Sequence, residues 1–325
     1  MDLRERTVLI TGGTGFIGSH LAARLVQVGA HVHVLVRPGS DPARLSPLGD
    51  RIRLHRGDLT DALSLRASLE ASRASLIFHL AGNTRGRRLD ADLGQLDTSV
   101  QDNLQGTLNL VQAAHHGRSG VERLIRVGGL EEYGRGPAPY REEQREEPVS
   151  PYSASQTAAT HYCRMLQPYV DFDLVTLRLA LVYGPAQSTA FFIPSLITHC
   201  LRGQDFEMTS GEQGRDLLYV DDVVDALVRT ATAPGLAGEV INVCSGVEHT
   251  IREVAEAIRG MTGGTSEIRV GAARERSSEI LHLVGSNEKA KRLLGWSPTT
   301  SLREGLTRCI AWYEEQAEII GAFPV

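Results

Sequence analysis

The chain has 325 residues, 42% of them hydrophobic and 22% charged, with a formal net charge of −5. That length suffices for one large domain or two intimate ones around a sizeable core. An acidic balance without a long basic run argues against nucleic acid as a partner. The four cysteines, Cys163, Cys200, Cys244 and Cys309, have neither metal-ligand spacing nor disulfide-scaffold density. The first residues are too charged for an export signal, and no apolar run approaches a membrane span. A cytoplasmic protein with reduced thiols, no metal and no membrane contact is expected.

In chain order, residues 7–11 read as a strand that runs into Gly12, Gly15 and Gly18, followed by a helix over 19–28. Glycines at this spacing between a strand and a helix make a diphosphate cradle. Without side chains the backbone approaches the anion, and free N–H groups at the helix start bind it. Further strands are expected at 31–36, 52–56, 76–80, 123–127 and 174–177, and helices at 61–72, 96–115 and 152–169. The alternation predicts an α/β fold, a doubly wound parallel sheet covered on both faces. Its ligand site belongs at the carboxyl ends of the strands.

After Gly184-Pro185 the pattern loosens into helices over 191–202, 251–261 and 302–318. The division expected is 1–184 with 216–245 for the dinucleotide-binding part, and 185–215 with 246–325 for a small interleaved cap. Arg37 follows the second strand, where a basic residue favours the 2′-phosphate of NADP over the 2′-hydroxyl of NAD. Asp58-Leu59, after the third strand, is placed to contact adenine; the other reading of Asp58 is a helix cap with Thr60-Asp61.

Longer marks follow: Gly57-Asp58-Leu59, Phe78-His79-Leu80-Ala81-Gly82, Asn103 with Gly106-Thr107, Glu132-Tyr133-Gly134 and Pro151-Tyr152. Beyond them come Val182-Tyr183-Gly184-Pro185, Arg215-Asp216, Tyr219-Val220-Asp221-Asp222 and Leu294-Gly295-Trp296-Ser297-Pro298. On these residues the chain resembles, over nearly its whole length, the extended short-chain dehydrogenase/reductases, especially the nucleotide-sugar epimerases and dehydratases. The resemblance implies a Rossmann-like sheet domain, a nucleotide-diphosphate sugar as substrate, and a homodimer formed through the helices at 96–115 and 152–169. It implies NADP or NAD held by Gly12, Gly15, Phe16, Ile17, Gly18, Arg37, Asp58, Leu59, Leu80, Ala81, Gly82, Asn103, Tyr152 and Gln156. It also implies a centre of a serine or threonine, a tyrosine, and a lysine four residues further on. Tyr152 takes the tyrosine position, exchanging a proton with a sugar hydroxyl while hydride passes to the nicotinamide.

The chain departs from that pattern in three places. Gln156 stands where the lysine is expected, and the only lysines are Lys289 and Lys291. A free tyrosine has a pKa of about 10, so roughly 0.1% is ionised at pH 7. A nearby ammonium helps to lower that pKa and a neutral glutamine does not. Gln156 keeps the capacity to hydrogen-bond the cofactor ribose. An arginine from elsewhere, or the charge of the oxidised nicotinamide, could compensate; without either, Gln156→Lys should lower the acidic pKa of any redox step. Gly129 replaces the serine or threonine, removing a hydroxyl from the centre. Glu131 falls where sugar 4,6-dehydratases carry a catalytic glutamate, and reads equally well as a loop acid; Glu132 reads as structural. Leu181 replaces an asparagine of the sugar-diphosphate pocket. Arg215 and Arg276 fall where the family holds phosphates, the alternative for each being a surface ion pair.

His79, inside an apolar strand, is expected to pack in the core. The leading reading is an NAD(P)-dependent nucleotide-sugar-modifying enzyme with Tyr152, Glu131 and Gln156 as catalytic residues. Epimerisation, dehydration and 4-keto reduction stay open. The rivals are a catalytically weak NADP(H)-binding sensor or scaffold, and an NADPH-dependent reductase of a small non-sugar ketone.

Overall fold

The structure is a computed structural model that describes residues 3–84, 94–117, 120–273 and 279–320. The strands are β1 (Thr7–Thr11), β2 (His31–Val36), β3 (Ile52–Arg56), β4 (Leu76–His79), β5 (Arg123–Gly129), β6 (Asp173–Leu179) and β7 (Leu181–Tyr183). They continue with β8 (Phe206–Met208), β9 (Gly214–Tyr219), β10 (Val240–Val243), β11 (Glu248–Thr250), β12 (Ile268–Val270) and β13 (His282–Leu283). The helices are α1 (Phe16–Gln27), α2 (Ala62–Ser72), α3 (Leu96–Ser99), α4 (Gly106–His116) and α5 (Pro151–Leu166). After them come α6 (Phe192–Leu201), α7 (Val220–Thr232), α8 (Ile251–Met261), α9 (Glu288–Leu294) and α10 (Leu302–Ile320).

A seven-stranded parallel sheet runs in the order β10-β6-β5-β4-β1-β2-β3. The order reverses at β1, between β4 and β2, which opens a crevice at the carboxyl ends of β1 and β4. One face buries Val8, Ile10, Leu21, Leu25, Val223 and Leu227 beneath α1 and α7. The other buries Leu9, Ile77, Leu65, Leu110 and Leu124 beneath α2 and α4. A third apolar cluster joins α6, α8, α10 and β9 through Leu196, Ile197, Val254, Ile258, Leu306 and Tyr313.

The first three strands have the bounds expected from the sequence. α1 begins at Phe16, earlier than expected, because Gly15 is its N-cap. The helix expected at 96–115 is interrupted by a wider π-type turn over Val100–Gln105. The helix expected at 152–169 begins at Pro151, with Ser150 as its cap, and ends at Leu166 in a tighter turn over Gln167–Tyr169. β10 was not expected: four apolar-to-polar residues give too short a run for periodicity to identify. Two of the sequence marks explain each other in space. The Trp296 ring N–H donates to the Asp222 carbonyl at 3.1 Å, and the Asp222 carboxylate accepts from the backbone of Thr299 and Thr300. No helix among the described residues is long and apolar enough to cross a membrane.

Candidate active site

The glycine turn closes the crevice between β1 and β4. Gly12 has φ +72°, and a Cβ there would lie 2.5 Å from the Ala81 nitrogen; at Gly18 it would lie 2.2 Å from the Gly12 carbonyl. Neither position tolerates a side chain. At Gly15 a Cβ would meet only the Gly12 oxygen, at 3.1 Å, so the turn stays open outward. Phe16, Ile17 and Gly18 are the first residues of α1, whose N–H groups have no partner within a helix. A dinucleotide diphosphate fits this cradle. Arg37 is exposed directly after β2. The Asp58 carboxylate accepts from the Thr60 backbone and hydroxyl at 2.9 and 2.8 Å, while Asp61 caps α2. The helix cap is therefore Asp61 and not Asp58, whose carboxylate closes the turn just before the helix.

His79 is part of a buried chain of hydrogen bonds. The Thr107 hydroxyl spends its one proton on the Asn103 carbonyl at 2.6 Å, so His79 Nε2 must donate to Thr107, at 2.9 Å. His79 Nδ1 is then the acceptor from Thr11, at 2.7 Å. Burial, reinforced by the nearby Arg126 charge, lowers the His79 pKa from 6.5 to about 3. His79 is therefore a neutral core residue, as its strand context suggested. The Asn103 amide is likewise committed: it accepts from the Asn83 N–H at 2.6 Å and donates to the Asn83 carbonyl and the Ser155 hydroxyl. It pins the segment after β4 that carries Leu80, Ala81 and Gly82.

A consequence is acid sensitivity. The unfolded imidazole takes up a proton below about 6.5, and the folded one only near 3. The stability from this group is complete above 6.5 and drains as pH falls towards 3. The melting temperature should fall by about 2 °C per pH unit through this window from His79 alone. His79→Gln should flatten that slope in calorimetry; an unchanged slope would mean that the imidazole titrates normally.

Tyr152 sits in the first turn of α5 and is 7% exposed. Ser150 and Ser153 cap that turn reciprocally, which fixes its backbone without using the phenol. Gln156, one turn along, is 5% exposed, and the guanidinium of Arg126 on β5 donates to its side-chain oxygen and, at 3.1 Å, to its main-chain carbonyl. Arg126 also donates to Thr160 at 2.9 Å. Sequence reasoning named no role for Arg126, although an arginine within the apolar run of a central strand was a visible signal. Neither lysine is in this region: both lie on α9, which packs on β10 and α7, and Lys289 pairs with Glu239 at 2.7 Å.

Two adjacent glycines at the end of β5 make room for two carboxylates. A Cβ on Gly128 would lie 2.1 Å from Glu132 Oε1, and one on Gly129 would lie 2.4 Å from Glu131 Oε2. The space beside Gly129 is thus occupied by the Glu131 carboxylate. Glu132 is fully buried, accepting from Arg178 at 2.9 Å, from Thr160 at 2.7 Å and from the Gly129 N–H at 3.2 Å. Arg178 in turn reaches Glu146 at 2.6 Å and covers the Tyr133 ring, and these carboxylates hold its pKa above the usual arginine value despite burial. The structural role read for Glu132 is what this network gives it.

A cleft of about 560 Å³ begins at Glu131, Ser150 and Ser153, passes Leu181 and Phe192, and reaches Arg215. Arg215 is 7% exposed, and its guanidinium pairs with Glu279 and donates to the Ile280 carbonyl at 2.8 Å. It is a buried wall residue with a carboxylate partner, so a phosphate must share or displace Glu279. Arg276 lies outside the described residues.

Residues 8–244 match the NAD dependent epimerase/dehydratase family. The UDP-glucose 4-epimerase of Mycolicibacterium smegmatis is 32% identical over 95% of this chain and 99% of its own. The human dTDP-D-glucose 4,6-dehydratase is 29% identical over 95% and 90% respectively. Among solved structures, MoeE5 in complex with UDP-glucuronic acid and NAD is 31% identical, with a TM-score of 0.83 over 95% of this chain and 99% of that one. The family model spans most of the chain, and by that match the chain belongs to the NAD dependent epimerase/dehydratase family.

Proposed function

We infer that the protein modifies a nucleotide-diphosphate sugar by reversible hydride transfer at a ring carbon, with NAD or NADP as cofactor. The observation that carries this reading is the cleft joining Glu131 and the Tyr152 turn to Arg215. A cofactor-only sensor has no use for such a cleft. Tyr152 exchanges the proton of the reacting hydroxyl and Gln156 positions the cofactor, which when bound would supply and accept hydride. Glu131, in the space left by Gly129, moves a proton next to the transient ketone. Arg215 meets the diphosphate, in exchange for Glu279. Exposed Arg37 favours NADP. We assign the substrate cap to segments 185–215 and 246–325, with α9 of the second segment packed back on β10 and α7 of the sheet domain. Exposed Leu96, Val100, Tyr162 and Met165 on α3, the following turn and α5 supply an apolar face for a homodimer. Four buried free cysteines suit the cytoplasm.

Incubation with NAD(H), NADP(H) and pooled nucleotide sugars in heavy water, read by mass spectrometry, tests the reading. Loss of water, gain of two hydrogens, or a same-mass isomer identifies dehydration, reduction or epimerisation. Bound cofactor with no sugar change would support the second reading, a binding protein without turnover, which the departures at Gly129 and Gln156 favour. Glu131→Gln should abolish deuterium entry from solvent and leave cofactor affinity intact. Exchange that survives the substitution removes Glu131 from proton transfer.

A further inference from the structure

We propose that Arg126 and Gln156 together replace the lysine that follows the tyrosine by four residues: Arg126 carries the fixed positive charge, and as a positioning residue it holds the Gln156 amide with its N–H end towards the cofactor. This rests on the cofactor reading above, and concerns how this chain meets it without a lysine.

The argument begins with donor and acceptor chemistry. A guanidinium donates only, so it can meet a primary amide only at the amide oxygen. Arg126 Nη2 contacts the Gln156 side-chain oxygen and its main-chain carbonyl. The amide therefore has one allowed orientation, with its two N–H groups directed away from Arg126. On that side is the segment after β4, since a Cβ built on Gly82 would lie 3.5 Å from Gln156 Nε2 and 3.3 Å from Asn103 Oδ1. Gly82 belongs to the strand-end turn assigned to the cofactor. A lysine ammonium presents donors and a charge at one atom. Here the donors are on Gln156 and the charge is one bond network behind it.

The charge itself is unusual. Arg126 is 1% exposed, and among the described residues it meets no carboxylate directly. Its three contacts are to Thr160 and Gln156, and Glu132 is reached only through the Thr160 hydroxyl. Burying a guanidinium without a contact ion pair is costly, and a purely structural contact at this strand position would be cheaper with a neutral side chain. Glu132 already has Arg178 as its direct partner. The field of Arg126 is felt locally, because it contributes to the lowered pKa of His79 on the neighbouring strand.

The two arrangements exclude each other. A lysine at 156 places an ammonium against the buried guanidinium, so restoring it alone should harm the protein. The test titrates NAD and NADPH separately onto the full-length chain by calorimetry and records melting temperatures. Gln156→Lys and Arg126→Met should each weaken cofactor binding at least tenfold, and the double variant should return to within threefold of the unaltered chain. Gln156→Glu separates positioning from folding: its carboxylate pairs with Arg126 and keeps or raises the melting temperature, but it offers no N–H and should bind cofactor at least tenfold more weakly. Losses that multiply in the double variant, or a Gln156→Glu chain with unchanged affinity, would overturn the proposal while leaving the cofactor reading in place. An unaltered chain that binds neither cofactor overturns both.

Discussion

Tyr152→Phe is expected to lower turnover by roughly 10²–10⁴-fold, the range for loss of a positioned acid/base group, with cofactor affinity within twofold of the unaltered chain. The substitution removes one oxygen from a side chain that is 7% exposed and whose ring packing is retained. The turn that carries it is capped by Ser150 and Ser153, so the helix start does not depend on the phenol. Turnover of the sugar identified by mass spectrometry, beside a cofactor titration, measures the two quantities separately. A Tyr152→Phe variant that keeps more than a tenth of its turnover would take Tyr152 out of the chemistry and turn attention to Glu131.

Glu132→Ala is expected to destabilise the fold by about 3–5 kcal/mol, the cost of breaking one side of a buried ion pair, or about 4–7 °C in melting temperature. Three donors lose their acceptor together: the Arg178 guanidinium, the Thr160 hydroxyl and the Gly129 N–H. Arg178 keeps Glu146, but one of its nitrogens is already buried without a partner. Replacing both Glu132 and Arg178 with methionine should recover part of the loss, because the fully buried pair goes together, although Glu146 also gives up Arg178 and is left with His161 at 3.3 Å. Scanning calorimetry of the single and double variants decides this. A single variant that melts within about 2–3 °C of the unaltered chain would mean that water or Glu146 satisfies Arg178 at little cost.

The cradle was legible because its cause is local. Gly12, Gly15 and Gly18 between an apolar strand and a helix former carry their reason in their spacing, and the structure adds only which atoms a Cβ would strike. The first three strands were equally plain, being apolar runs bounded by turn residues. The π-type turn at Val100–Gln105 was not, since such a turn has no spacing signal distinct from a continuous helix. His79 could be placed in the core from its strand, but its tautomer needed Thr107, Asn103 and Thr11 together. Arg215 lines the cleft; its pairing with Glu279, sixty-four positions away, could not be read from the sequence.

By itself the sequence determined the α/β alternation, the nucleotide cradle, the tyrosine helix and the absence of a lysine after it. These follow from periodicity, glycine spacing and residue identity, which are properties of neighbours along the chain. The tertiary structure alone decided which side chains stand beside Gly129 and Gln156. The Glu131 carboxylate enters the space left by Gly129, and Arg126 reaches Gln156 from thirty residues away on the adjoining strand. The first is set by the turn that follows β5, and the second by how β5 lies against α5, since side chains on different elements meet only when the sheet has placed those elements side by side.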